Sequence, residues 1–239
     1  MTLRCLGTGS KGNCYLLSSE SETLILDCGI PIKDIKKGLN WDVSRIAGVI
    51  VTHAHKDHSL AIEDFRRMGI PVFAPYEDKT PMNFRGMAGL TVQAFDLTDL
   101  QGKWTHTNAD GTECPCYGFL ISHPDMGKLL YITDTELVKW RFKDINHILI
   151  SCNYQSKYID GDEAKKNHVL RGHMELNTVK EFVKANNSNA LRSVILCHMS
   201  RNNADPMECV AEIRKVAPQA YLDYARAGES YELKGCCPF

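Results

Sequence analysis

Apolar positions along the chain fall into short runs separated by polar turns, in continuous or alternating patterns that predict strands. The runs are Leu3–Leu6, Cys14–Leu17, Thr23–Leu26, Val49–Thr52, Val72–Ala74, Leu90–Phe95, Tyr117–Ile121, Leu129–Ile132, Ile148–Ser151 and Ser193–Cys197. Turn residues such as Gly12-Asn13 and Ser19-Glu20 separate the first three closely, which predicts an antiparallel start. Helical periodicity is clearest over Ile62–Met68, Thr178–Ala185 and Pro206–Val216. Strand-like runs with helical stretches between some of them, and no internal repeat, predict a layered α/β architecture.

Ligand-type residues follow where these runs end. Ala47–Val51 leads into His53-Ala54-His55-Lys56-Asp57-His58, an H-x-H-x-D-H string. Alternation along an extended strand puts His53 and His55 on one face, able to grip one cation. Asp57 and His58, beyond the turn toward the helical pattern, are free for a second cation, so the string has the spacing of a two-metal site. Leu24–Leu26 leads into Asp27, Leu130–Ile132 into Asp134, and Val194–Cys197 into His198. Open α/β sheets place ligand sites beyond strand ends, so the recurrence is informative. A turn-forming role before Gly29 is the alternative for Asp27, and a helix cap or a satisfied buried polar group for Asp134 and His198.

Composition adds limits. The chain has 239 residues with net charge −1, so no global basic field announces a polyanionic partner. The size suits one large domain or two small ones. Ten scattered cysteines, no secretory leader pattern and no run of membrane-spanning length fit a reducing, cytoplasmic setting. Cys114 and Cys116 are expected as core residues, and Cys236–Phe239 matches a C-a-a-X box only formally. Lys33, Lys36, Lys37, Arg66, Arg67, Lys165 and Lys166 each have acids nearby, the pattern of solvated faces.

With Asp27, Asp134 and His198 at strand ends, the string Thr52–His58 resembles the metallo-β-lactamase superfamily of metallohydrolases. Gly9-Ser10-Lys11-Gly12-Asn13-Cys14 resembles the G-S-x-G-N loop of its YycJ/WalJ-like branch. Gly172-His173-Met174 and His198-Met199-Ser200-Arg201-Asn202-Asn203 resemble that branch's G-H-L-S and H-L-S-x-x-N-N segments. The resemblance implies a four-layered αββα sandwich, one domain over residues 1–239, with the metal site along one edge between two sheets. It implies a first metal on His53, His55 and His106, a second on Asp57, His58 and His198, Asp134 bridging both, and Asp27 orienting the histidines. His106 stands farther than usual from the following Pro115, with Thr107–Cys114 as an insertion, and His123 is the alternative third ligand. Glu136 stands where the family has glycine after T-D-T, and is expected to crowd the metal edge.

Imidazole and carboxylate ligands suit zinc, with manganese or iron as alternatives. Two cations about 3.5–4 Å apart would acidify a bridging water and present hydroxide to an electrophile. Ser10, Lys11 and Asn13, with Ser200, Asn202 and Asn203, are candidate donors to a substrate phosphate. Asp57 is the candidate for positioning the nucleophile and His173 for contacting phosphate or protonating the leaving oxygen, with a surface histidine as its alternative. The branch resemblance implies a phosphodiesterase acting on DNA, as single strands or from a 5′ end. Trp104, Tyr154 and Tyr158 are candidates for base stacking or for the core. A glyoxalase II-like thioesterase or cyclic-nucleotide phosphodiesterase, and a binding protein lacking chemistry, remain alternatives.

Overall fold

The computed structural model describes residues 1–159, 172–200 and 202–235. Arg201, Glu163, Lys165, Lys166 and Cys236–Phe239 lie outside the described residues.

Two six-stranded sheets face each other. The first has the order β12-β1-β2-β3-β4-β5, built from β1 (Thr2–Gly7), β2 (Cys14–Ser18), β3 (Thr23–Leu26), β4 (Ile46–Ile50), β5 (Val72–Phe73) and β12 (Ser230–Glu232). The second has the order β11-β10-β9-β8-β7-β6, built from β6 (Thr91–Asp96), β7 (Tyr117–His123), β8 (Gly127–Ile132), β9 (His147–Ser151), β10 (Ser193–Cys197) and β11 (Tyr221–Tyr224). The β1–β2–β3 start is antiparallel, as the spacing predicts, whereas β3–β4–β5 and β8–β9–β10–β11 are parallel.

Strand alternation sorts side chains into layers. Leu24 and Leu26, Leu129 and Tyr131, Leu149, and Ile195 and Cys197 fill the space between the sheets. Their neighbours Ile25, Leu130, Ile132, Ile148, Ile150, Val194 and Leu196 point outward under helices. Helices α1 (Ile32–Gly38) and α3 (Ile62–Arg67) cover the first sheet through Ile35, Ile62 and Phe65. Helices α4 (Leu176–Asn186) and α5 (Pro206–Arg214) cover the second through Leu176, Val179, Phe182, Val183, Cys209 and Ile213. The layers therefore run αββα, as the resemblance implies. Asp205 caps α5, accepting from the Met207 and Glu208 backbone N–H groups ahead of Pro206 at the first turn.

Three elements escape the periodic pattern. Helix α1 buries only Ile35, β11 only Leu222, and β12 is three residues long. The strand expected at Val49–Thr52 lies earlier, at Ile46–Ile50, because Val51 and Thr52 turn away toward the site. All eight described cysteines are buried free thiols, Cys114 and Cys116 among them. Among the described residues no helix is long and apolar enough to cross a membrane.

Candidate metal centre

The parallel strands β3, β4, β8, β9 and β10 end at one edge of the sandwich, and the loops leaving them assemble the site. His53 and His55 are not on a strand, which corrects the alternation argument. His53 sits in the irregular segment after β4, and His55 immediately precedes the short helix α2 (Lys56–Ser59). The chain reverses tightly there, so Asp57 and His58 face the same cavity from the first turn. Gly29 makes this reversal possible: a Cβ on it would lie 1.7 Å from the Asp57 carbonyl oxygen. Gly29→Ala is expected to push the Asp57–His58 backbone away and cost about 1–3 kcal/mol. Thermal unfolding combined with metal content checks this, and an unchanged metal content would refute it.

Two groups of ligand-type atoms result, His53–His55–His106 and Asp57–His58–Asp134–His198, with the atoms of each within 4.8 Å of one another. Asp134 lies between them, its Oδ2 3.7 Å from His53 Nε2 and 3.2 Å from His58 Nε2, and its Oδ1 3.5 Å from His198 Nδ1. His106 joins the first group because Thr107–Glu113 folds back on itself: Thr107 bridges Glu113, and the Cys114 N–H bonds the His106 carbonyl at 2.9 Å. The insertion thus closes at its base without displacing the histidine. His123 lies at the far end of β7, accepting from the Asp125 N–H, and is no alternative ligand.

Hydrogen bonds set the imidazole tautomers of the first group. His55 Nε2 donates to Asn108 Oδ1 at 3.0 Å, an amide oriented by its own donation to Thr112 Oγ1 and the Glu113 carbonyl. His106 Nδ1 donates to the Gly172 carbonyl at 3.0 Å. The remaining nitrogens, His55 Nδ1 and His106 Nε2, are both lone-pair atoms 3.0 Å apart. His53 Nδ1 lies 3.1 Å from Thr52 Oγ1 and 3.6 Å from Cys116 Sγ, while its Nε2 is buried without a hydrogen-bond partner. Three converging lone pairs with no proton between them fit a cation. In the second group, Asn153 donates to His198 Nδ1 at 2.9 Å, its amide fixed because Oδ1 accepts from the Met174 N–H. His198 Nε2 has no hydrogen-bond partner and lies 3.5 Å from Asp57 Oδ2. Ligation through Nε2 requires the His198 proton to sit on Nδ1, and the Asn153 Nδ2 then keeps the His198 carbonyl and Asp134 Oδ1 as acceptors.

Asp27 supports the cluster from beneath. Fully buried, it accepts from His58 Nδ1 at 2.7 Å, Tyr131 OH at 2.5 Å, Thr52 N at 2.8 Å and Thr52 Oγ1 at 3.0 Å. Asp27 and His198 both adopt positive φ, 55° and 48°, which costs a non-glycine residue about 1–2 kcal/mol each. Asp27's four donors, and the bond from His198 N–H to Thr8 Oγ1, offset that strain.

Burial opposes charge on His58, but Asp27 and Asp134 outweigh it and push the pKa up to about 10. Burial, reinforced by His58 and His106, holds His53 well below the usual range, and burial takes His106 down to about 4. Asp134 and Asp57 are also desolvated, yet the surrounding histidines, His198 and His58 foremost, keep both carboxyls below their usual range. Away from the site, burial brings His147 down to about 4. With metal absent, the stabilisation from His58 is fully present below 6.5 and is lost as pH rises through about 10. His106 and His147 stay neutral when folded, while the unfolded chain takes up protons below 6.5, so their contribution is lost as pH falls toward about 4. Metal-free protein is therefore expected to be most stable near pH 6.5. Urea midpoints in chelator across this range check it, and a steady rise to alkaline pH would refute it.

Beside the cluster opens a cavity of about 530 Å³ lined by Thr8–Lys11, Asn153, His173 and His198–Ser200 with Asn202 and Asn203. Ser10, Lys11, Ser200, Asn202 and Asn203 thus meet, as expected of phosphate donors, but Asn13 does not. It is fully buried, its amide committed to Gly9, the Asp57 carbonyl and His58 Nε2. Glu136 does not crowd the metal edge, because its carboxylate turns away to accept from the Gly172 N–H at 2.9 Å. Asn108 and Asn153, which touch His55 and His198, are positions that periodicity and spacing did not point to.

The Lactamase_B model, described as the metallo-beta-lactamase superfamily, matches residues 7–148, more than half of the chain. The chain belongs to the metallo-beta-lactamase superfamily. Its two groups of histidines and aspartates are of the kind that hold divalent metal in that superfamily. A curated relative, Exodeoxyribonuclease YycJ of Bacillus anthracis, is 27% identical over 154 residues, 59% of this chain and 56% of that protein's length. The chain thus aligns with just over half of that relative. Among solved structures, the metallo-beta-lactamase fold protein YhfI of Bacillus subtilis superposes with TM-score 0.65 at 14% identity over 96% of this chain and 98% of its own. Yeast PDE1 gives 0.62 at 12% over 96% and 98%. The short form of human tRNase Z gives 0.58 at 15% over 98% and 99%. At such identities these likenesses establish the fold alone.

Proposed function

We propose that this superfamily member is a dinuclear phosphodiesterase acting on DNA ends, with His53, His55 and His106 on one cation, Asp57, His58 and His198 on the other, and Asp134 between. The carrying observation is the cavity, where hydroxyl, amide and ammonium donors converge next to the His/Asp cluster. Such a lining suits phosphoryl oxygens better than an acyl chain. The name of the exodeoxyribonuclease relative supports DNA as the diester, and the buried free thiols agree with a cytoplasmic setting.

Two divalent ions, zinc before manganese or iron, supply Lewis acidity toward water and phosphate when bound. The chain does the rest. Lys11, Ser10, Ser200 and the Asn202–Asn203 amides hold the non-reacting phosphoryl oxygens. Asp57, kept ionised by His198 and His58, orients the attacking water. His173 lines the same cavity, its ring centroid 5.9 Å from that of His106 and 6.5 Å from that of His198, and protonates the leaving oxygen.

The test pairs elemental analysis with turnover of 5′-labelled single-stranded DNA and bis(p-nitrophenyl) phosphate after zinc or manganese loading. About two ions per chain and chelator-sensitive cleavage of both substrates are expected. His173→Ala should keep its metal and lose about 10²–10⁴-fold in turnover, the range for a general acid. Cleavage of the small diester alone would move the assignment to a small-molecule phosphodiesterase. Cleavage of neither would favour thioesters.

A further inference from the structure

We propose that Glu136 is a positioning residue: through Gly172 it locks His106 in the tautomer that can hold a cation, and thereby sets the affinity of the His53–His55–His106 site. The proposal rests on His106 being a ligand and adds what keeps it one.

Glu136 follows Asp134-Thr135 at the end of β8, and its backbone N–H donates to Thr105 Oγ1 at 3.2 Å. That hydroxyl is 2.8 Å from Thr135 Oγ1, so residues 105 and 135–136 are held together beside His106. The Glu136 carboxylate accepts from the Gly172 N–H at 2.9 Å, and the Gly172 carbonyl accepts from His106 Nδ1–H at 3.0 Å. Gly172 is gripped on both sides of its Cα. Its φ of +74° and the 2.4 Å from an added Cβ to His106 Nδ1 leave room for glycine only.

A carbonyl carries no proton, so this bond places the His106 proton on Nδ1 and a lone pair on Nε2. The competing tautomer is close at hand. With its proton on Nε2, His106 would donate to His55 Nδ1, 3.0 Å away, and that one hydrogen bond would occupy both nitrogens a cation needs. The Gly172 carbonyl excludes this arrangement only while it stays in place, and among the described contacts the Glu136 carboxylate is what holds the Gly172 N–H. A carboxylate acceptor makes the stronger, charge-assisted bond. Glycine at position 136 would leave the N–H without this acceptor. The same clamp docks the backbone that carries His173.

The experiment uses the full chain as wild type, Glu136→Ala and Glu136→Gln. Zinc and cobalt binding are measured by calorimetry, and the side-chain nitrogens of histidine are read by NMR in metal-free protein. In Glu136→Ala one of the two binding events should weaken about 10–100-fold, the range for loss of a partner behind a ligand, with the other unchanged. The His106 Nδ1–H signal should give way to the Nε2–H form. Glu136→Gln keeps a carbonyl acceptor and should recover to within about tenfold of wild type. Unchanged affinities together with an unchanged His106 tautomer in Glu136→Ala would overturn the clamp. If wild type bound no ion, the functional assignment would fail instead, and the tautomer of His106 in Glu136→Ala would still decide the clamp.

Discussion

Replacing Asp134 with alanine is expected to strip both cations and lower turnover by about a thousandfold or more. Asp134 is 2% exposed, and its carboxylate lies within 3.2–3.7 Å of nitrogens from His53, His58 and His198, which belong to both ligand groups. Desolvation works against its charge, yet His198, His58 and His106 keep it ionised, so the fold maintains a buried anion where two ligand sets meet. Only Asp57 and Asp134 bring negative charge to the two groups, and Asp57 is the more exposed of the pair. Without Asp134, two divalent ions would face one carboxylate and five imidazoles across a short gap, and their mutual repulsion would expel them. A thousandfold corresponds to about 4 kcal/mol, the scale of charge stabilisation a metal pair supplies. Elemental analysis and turnover check the loss, with the thermal unfolding midpoint as the control for folding. Two retained ions or wild-type turnover in Asp134→Ala would end the dinuclear mechanism.

Asp27→Ala is expected to be the most destabilising single change at the site. It would remove the acceptor for Tyr131 OH, Thr52 N, Thr52 Oγ1 and His58 Nδ1 at once, in a position with no solvent exposure. Breaking a buried ion pair from one side costs about 3–5 kcal/mol, because the orphaned partner stays in the dry interior. For a chain of this size each kcal/mol moves the melting temperature by about 2–4 °C, so a fall of about 10 °C is expected. The pKa of His58 should drop from about 10 in metal-free Asp27→Ala, and with it the loss of stability above pH 6.5. Calorimetric melting and an NMR titration of His58 measure both effects. A melting temperature within a degree or two of wild type would show that Asp27 is not the anchor of the cluster.

How much of this was legible along the chain depends on the kind of interaction. Strands β2, β3, β8, β9 and β10 are dense apolar runs, and burial on both faces imposes that pattern directly. The His53–His58 string and the residues after β3, β8 and β10 could be read because parallel strands deliver their following residues to one edge. The structure brings these side chains together, though not by strand alternation: a tight reversal at His55–His58, packed against Gly29, does so. Asn13 was misassigned because a polar residue in a glycine-rich turn gives no sign of whether its amide faces solvent or the backbone beneath it.

The sequence by itself determined a layered α/β architecture, through local periodicity, and the ligand types at the strand ends, through where strands stop; the αββα order came from the family resemblance of its motifs. Only the tertiary structure decided which nitrogen of each histidine is offered and what holds it there. Asn108 reaches His55 across 53 positions, Asn153 reaches His198 across 45, Glu136 reaches Gly172 across 36, and Tyr131 reaches Asp27 across 104. Such contacts have no period and require no particular spacing. Each is one directional hydrogen bond between segments far apart in the chain, and its donor and acceptor are defined only once two packed sheets have brought those segments to the same edge.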